Sequence, residues 1–169
     1  PEVREAACFA LYLTRAKEQS AAIIGLLATE SDSLVQRKAL FALARLGCAD
    51  AAPVFFRYLA DADPYLRSLS VRGLSQSRDP QALQYLAIAL NDGDLNVQAQ
   101  AAMGLAAKKS VEAATYLARK LPSVHDEKVF STIVAGLQQM ADPRALEFVK
   151  EKWRQDSSVN IVGDALRYL

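Results

Sequence analysis

The residues of this chain that could do chemistry are mostly aspartates. Asp32, Asp63, Asp94 and Asp126 recur through the sequence, with Asp79 and Asp142 between and beyond them. Paired carboxylates would serve general acid–base catalysis or hold a metal ion. Each of these six, however, stands just ahead of an apolar-periodic segment. There a carboxylate accepts hydrogen bonds from free N–H groups of a first helical turn and suits the positive helix end. The aspartates therefore read as caps. The single histidine, His125, lies in the linker "PSVHDEK", and the two cysteines, Cys8 and Cys48, are 40 residues apart. Together they make no zinc or iron ligand set and no disulfide framework. Neither a Gly-rich phosphate loop nor a G-x-S-x-G elbow occurs. We therefore expect no catalytic, cofactor-binding or metal-binding residues, no cofactor, and no enzymatic activity.

The segments behind the caps are copies of one another. "DSLVQRKALFAL" (32–43), "DPYLRSLSVRGL" (63–74), "DLNVQAQAAMGL" (94–105) and "DEKVFSTIVAGL" (126–137) align on a branched apolar anchor. With the flanking copies the anchors are Val3, Val35, Leu66, Val97, Val129 and Ile161, spaced 32, 31, 31, 32 and 32 residues apart. Four residues on stand Ala7, Ala39, Ser70, Ala101, Ile133 and Ala165. Eight on stands a leucine in every copy: Leu11, Leu43, Leu74, Leu105, Leu137 and Leu169. Positions 0, 4 and 8 share one helical face, so this is a buried stripe. One residue before the leucine the column reads Ala10, Ala42, Gly73, Gly104 and Gly136. Glycine within a helix costs about 1 kcal/mol against alanine, so three in one column imply a neighbour pressing close.

A second helix fits between copies. "DPQALQYLAIAL" (79–90), "SVEAATYLARKL" (110–121) and "DPRALEFVKEKW" (142–153) share a cap, an alanine three residues on and an aromatic six on. "CADAAPVFFRYL" (48–59) fits with Asp50 as substitute cap and Pro53 near its start, and the region around "SAAIIGLLAT" (20–29) is the weakest copy. In the last repeat Asp156 and Ser158 are both available as caps. Eleven helices and no strand are expected, joined by short loops that demand antiparallel neighbours. Such a pair cannot bury its apolar face alone, so pairs must stack.

The order of a large apolar helix, an aspartate and then "VR/VQ…A…L" resembles HEAT repeats, in the short form named for bacterial phycobilin lyases. The pattern expected is all-α: a right-handed α-solenoid of about five antiparallel helix pairs plus an opening half repeat, forming one domain over 1–169 that reads as a fragment of a longer array or multidomain protein. The resemblance implies that the anchor-bearing helices line the concave side. It also implies a ladder between repeats, made by an arginine just after the anchor. That residue is present at Arg4 and Arg67, replaced by Gln36 and Gln98, and lost at Phe130, so the ladder thins toward the C-terminus. The uncovered stripe Val3, Ala7, Cys8 and Leu11 begins where a partner helix would precede it. The paired His-Glu ligands of deoxyhypusine hydroxylase, a HEAT-like enzyme, have no counterpart here.

Function must then lie in the surface. Six residues after each anchor the chain points away from the stripe, and this column reads Phe9, Phe41, Arg72, Met103 and Ala135. Arg37, Lys38, Arg45, Arg67 and Arg78 lie beside it, and apart from the caps the segments 33–46 and 64–77 carry no acidic side chain. Apolar anchors within a mildly basic groove suit an acidic or amphipathic peptide or helix. The candidate partner-binding face is Phe9, Arg37, Phe41, Arg45, Arg72 and Met103, and the expected role is a non-enzymatic protein-interaction scaffold. The alternatives are nucleic-acid backbone binding by a HEAT-like groove, which so modest a basic patch disfavours, and a tetrapyrrole lyase or chaperone subunit, from the repeat type alone. A further possibility is a repeat domain that holds substrate for a longer enzyme. Apolar runs fall short of the ~18 residues of a membrane span; two unpaired thiols favour a reducing setting, so a cytoplasmic location is expected, with a periplasmic or extracytoplasmic one as the alternative.

Overall fold

The computed structural model describes residues 2–14, 17–47, 49–144, 147 and 150. Among them are nine α-helices and no strand: α1 (Glu2–Leu13), α2 (Ser20–Thr29), α3 (Ser33–Leu46), α4 (Ala52–Tyr58), α5 (Pro64–Gln76), α6 (Ala82–Ala89), α7 (Leu95–Lys108), α8 (Val111–Lys120) and α9 (Glu127–Gln139). These are the first nine of the eleven expected. The other two, with Trp153, Ile161, Ala165 and Leu169, lie almost wholly outside the described residues, as does Cys48.

The helices form an α-solenoid of two rows. Each odd-numbered helix packs on the odd-numbered helices before and after it. Each even-numbered helix lies against the odd-numbered helix that follows, and α6 and α8 also touch the one before. The stripe explains this arrangement. Val35, Val97 and Val129, with Ala39, Ala101 and Ile133 and the leucines Leu43, Leu74, Leu105 and Leu137, are fully buried. Ser70 stands in the same stripe and stays satisfied by donating its hydroxyl to the Leu66 carbonyl at 3.0 Å. On α1 the first turns of the stripe are uncovered among the described residues, with Val3 83% exposed and Ala7 exposed, whereas Cys8 is buried and Leu11 packs against the core.

The glycine column lies where helices press together. A Cβ on Gly73 would stand 2.3–2.5 Å from ring atoms of Phe55 on α4. One on Gly104 would meet Leu86 Cδ2 of α6 at 3.1 Å, and one on Gly136 would meet Ala106 Cβ of α7 at 2.9 Å. At these three positions the neighbouring helix thus docks onto backbone rather than side chain.

The caps fall as their chemistry requires. Asp32 accepts from the Leu34 and Val35 N–H groups, Asp63 from Tyr65, Asp94 from Asn96 and Val97, and Asp126 from Val129. Ser110 accepts from Ala113 and so caps α8. Two expected caps are displaced. Asp79 accepts from Gln81 N–H in the turn ahead of α6, whose own N-cap, Gln81, makes no capping bond with its side chain. Asp50 sits in a 3₁₀ turn, and α4 starts at Ala52 with Ala51 as cap. In both places a tight turn sits between the acid and the helix, and at Asp79 that turn takes the carboxylate's hydrogen bond. Twelve residues after three of the anchors the chain turns left-handed, at Gly47 (φ 64°), Lys109 (φ 49°) and Ala141 (φ 54°).

The ladder between repeats uses a different acid from the caps. Arg4 Nε binds Glu30 Oε2 at 2.7 Å, and Arg67 grips Asp92 with Nε and Nη2, both at 2.8 Å. Glu30 and Asp92 stand two residues ahead of their cap aspartates and accept those residues' N–H groups as well. Gln36 and Gln98 are too short to reach the next repeat. They donate instead to the Glu30 and Asp92 carbonyls of their own repeat. At the next step the acid position is Val124 and the arginine position Phe130, both buried. These two ladder positions are thus apolar, while Lys128 Nζ still bridges to Asn96 Oδ1 at 2.8 Å between α9 and α7.

Candidate functional site: a groove across three odd-numbered helices

The outward face of α3 carries Leu34, Arg37, Lys38, Phe41 and Arg45, spaced three or four residues apart and so aligned down one side. The opposite side carries the buried Val35, Ala39, Leu43 and Leu46. Stacking places Phe9 of α1 and Tyr65 of α5 on either flank of the outward side. Together Phe9, Leu34, Arg37, Lys38, Phe41 and Tyr65 line an open groove of about 400 Å³.

The floor is aromatic and only partly covered. Phe9, Leu34 and Tyr65 are each close to half exposed. Phe41 is half-buried and packs partly on the core. Tyr12 of α1 holds the two phenylalanines in place, its ring 5.9 Å from Phe9 and 5.3 Å, edge-on, from Phe41. Such tilted pairs favour a fixed arrangement over a floppy one.

The rim is cationic. Arg37 reaches Asp63 Oδ2 from Nη2 at 2.7 Å and lies 5.6 Å from the centre of the Tyr65 ring. Lys38 faces Glu5 of α1 at 3.5 Å. Arg45, one turn beyond Phe41, lies 5.7 Å over the Tyr12 ring. Arg72 is exposed on α5, in the same column as Phe41. Neither Arg45 nor Arg72 forms an ion pair with another described residue.

Of the six residues singled out from the sequence, the structure brings Phe9, Arg37 and Phe41 into one groove, and Arg45 joins them through Tyr12. Arg72 and Met103, the latter 62% exposed, continue the column onto α5 and α7 without lining the groove. Arg67 does not belong to this face. Its side chain is 16% exposed and committed to Asp92. Leu34, Tyr65 and Tyr12 were not anticipated. Leu34 and Tyr65 each precede an anchor by one residue, a column that reads apolar only in these two repeats.

For covalent or metal chemistry the described residues offer little. No three of their His, Cys, Asp and Glu side chains come together to hold a metal ion. His125 is exposed beside the Asp126 cap. Burial pushes the Cys8 thiol above its ordinary range, which keeps it protonated and weakly nucleophilic.

Comparison with known proteins bears on what such a groove is for. Residues 20–95 match the family model for HEAT repeats. The match takes in α2 to α6, which includes most of the groove. The whole chain is also similar in fold to the crystal structure of an engineered protein, at a TM-score of 0.61 and 19% identity, over 99% of this chain and 88% of that one. A likeness at that identity speaks for the fold alone. No curated protein matches the chain. HEAT repeats commonly serve as protein-interaction scaffolds. Among the described residues no helix is long and apolar enough to cross a membrane.

Proposed function

We propose that this chain is a non-enzymatic scaffold whose odd-numbered helices hold a segment of another protein, with the groove between α1, α3 and α5 as the contact. The observation that carries the reading is Phe9, Leu34 and Tyr65 exposed together around one groove of about 400 Å³. Scattered single apolar residues on a surface need no explanation, but a contiguous set rimmed by charge does. HEAT-type repeats in 20–95 support the same reading. A reducing, cytoplasmic setting suits a scaffold with the free, buried thiol of Cys8.

Phosphate recognition is the weaker reading. Arg37, Lys38 and Arg67 each face a carboxylate of this chain, which leaves few cations free for a phosphate backbone. The test is capture by immobilised wild-type protein against a Phe9→Ala, Arg72→Glu variant of the same helicity and melting temperature. Loss of the captured protein with the variant supports the face, and undiminished capture refutes it.

A further inference from the structure

On the reading that this groove holds a protein segment, we infer that the segment is acidic: an apolar anchor in the groove with a carboxylate two to four residues away, bound by Arg45 and Arg72. The charge balance around the groove leads to this. Four cations face it or border it: Arg37, Lys38, Arg45 and Arg72. The carboxylates nearby are Asp63, held by Arg37, and Glu5, held by Lys38. The chain's own acids thus neutralise the two cations that line the groove. The two just outside it have no such partner among the described residues, and both are exposed. Apart from the N-caps Asp32 and Asp63, α3 and α5 carry no acidic residue. The positive potential beyond the groove therefore stays uncancelled on this face. An occupant bearing lysine or arginine there would meet like charge, which costs affinity, while a carboxylate is steered in.

Geometry sets the spacing. Arg45 follows Phe41 by one helical turn on α3, a rise of about 6 Å. Arg72 occupies the register of Phe41 on the adjacent odd-numbered helix, and packed helix axes stand about 8–10 Å apart. A carboxylate about 6–10 Å from the apolar anchor reaches one or the other. That is two or three residues along an extended chain at about 3.3 Å each, or one turn of a helical occupant. Arg45 is pre-positioned for the task by its seat over the Tyr12 ring, so less side-chain freedom is lost on binding.

The test is selection from a randomised twelve-residue phage-displayed peptide library on the intact chain, followed by fluorescence anisotropy with fluorescein-labelled copies of the enriched peptides. The expected outcome is enrichment of an aromatic or leucine residue with Asp or Glu two to four positions away. Replacing that acid by its amide should weaken binding about three- to fivefold, as one exposed ion pair allows. The double variant Arg45→Glu, Arg72→Glu should enrich Lys or Arg at the same spacing, whereas Arg119→Glu, on α8, should leave the acidic preference intact. Enriched peptides that need Phe9 and Phe41 but show no acidic preference would overturn the inference and leave the scaffold reading standing. Enrichment insensitive to every groove substitution, or no enrichment, would overturn both.

Discussion

Replacing Gly73 by alanine should destabilise this protein, although the same change at Gly25 should stabilise it. Both glycines lie within helices, and on propensity alone each substitution gains about 1 kcal/mol. Their surroundings differ. Around Gly25 nothing lies within 4 Å of an added Cβ, and the residue is exposed on α2. At Gly73 the Cβ would stand 2.3–2.5 Å from three carbons of the Phe55 ring. Carbon atoms pack comfortably at about 3.5–4.0 Å, so the ring must retreat by more than 1 Å. Phe55 is 1% exposed and closed in on all sides. Overpacking of this kind costs about 1–3 kcal/mol, occasionally more, and so large a required movement puts Gly73 at the upper end. The net loss is then about 1–2 kcal/mol, against a gain of about 0.5–1 kcal/mol at Gly25. Urea unfolding followed by circular dichroism at 222 nm reads both. A Phe55→Leu change, which shortens the clashing side chain, should recover part of the Gly73→Ala loss in a double-mutant cycle. If Gly73→Ala stabilises as Gly25→Ala does, the close approach of α4 to α5 is wrong.

Three other outcomes follow from the same packing. Lys109→Gly and Ala141→Gly should each raise stability by about 0.5–1 kcal/mol in denaturant titrations, because both replace a side chain held left-handed at the position where Gly47 ends α3. Asp94→Ala, which frees the N–H groups of Asn96 and Val97, should cost about 1 kcal/mol by the same measurement. Arg67→Met should cost about 1.5–3 kcal/mol by stranding the half-buried Asp92, and the pair should show in acid. Burial pushes the Asp92 carboxyl up, but the bonds from Arg67 and the Asp94 N–H, with the Arg67 charge, outweigh it and hold it below the ordinary carboxylate range. Its contribution is therefore complete above the unfolded pKa of about 3.9 and drains as pH falls through the lower folded value. The stability gap between wild type and Asp92→Asn should accordingly narrow below about pH 4.

Much of the fold could be read in the chain because a stacked repeat writes its packing many times over. One apolar stripe would be ambiguous, whereas Val35, Leu66, Val97 and Val129 with their leucines eight residues on leave one face to bury. The cap aspartates were legible for the same reason. The displaced caps at Asp50 and Asp79 were not, since a 3₁₀ turn and an α-helical first turn offer an aspartate the same N–H groups. The outward column gave the direction of Phe9, Phe41 and Met103 but not their depth. Phe41 sinks because Tyr12 lies across it, a contact between helices about 30 residues apart in sequence. Arg67 and Arg72 look alike as basic residues of one helix. Only the neighbouring repeat separates them, because Asp92 claims the first and nothing described claims the second.

Hydrogen exchange of the chain with and without a peptide enriched on it tests the central claim most directly. The account predicts added protection of backbone amides at 3–13, 34–46 and 65–76, with no change on the even-numbered helices α6 and α8. Protection confined to 82–89 and 111–120, or spread evenly along the array, would contradict it.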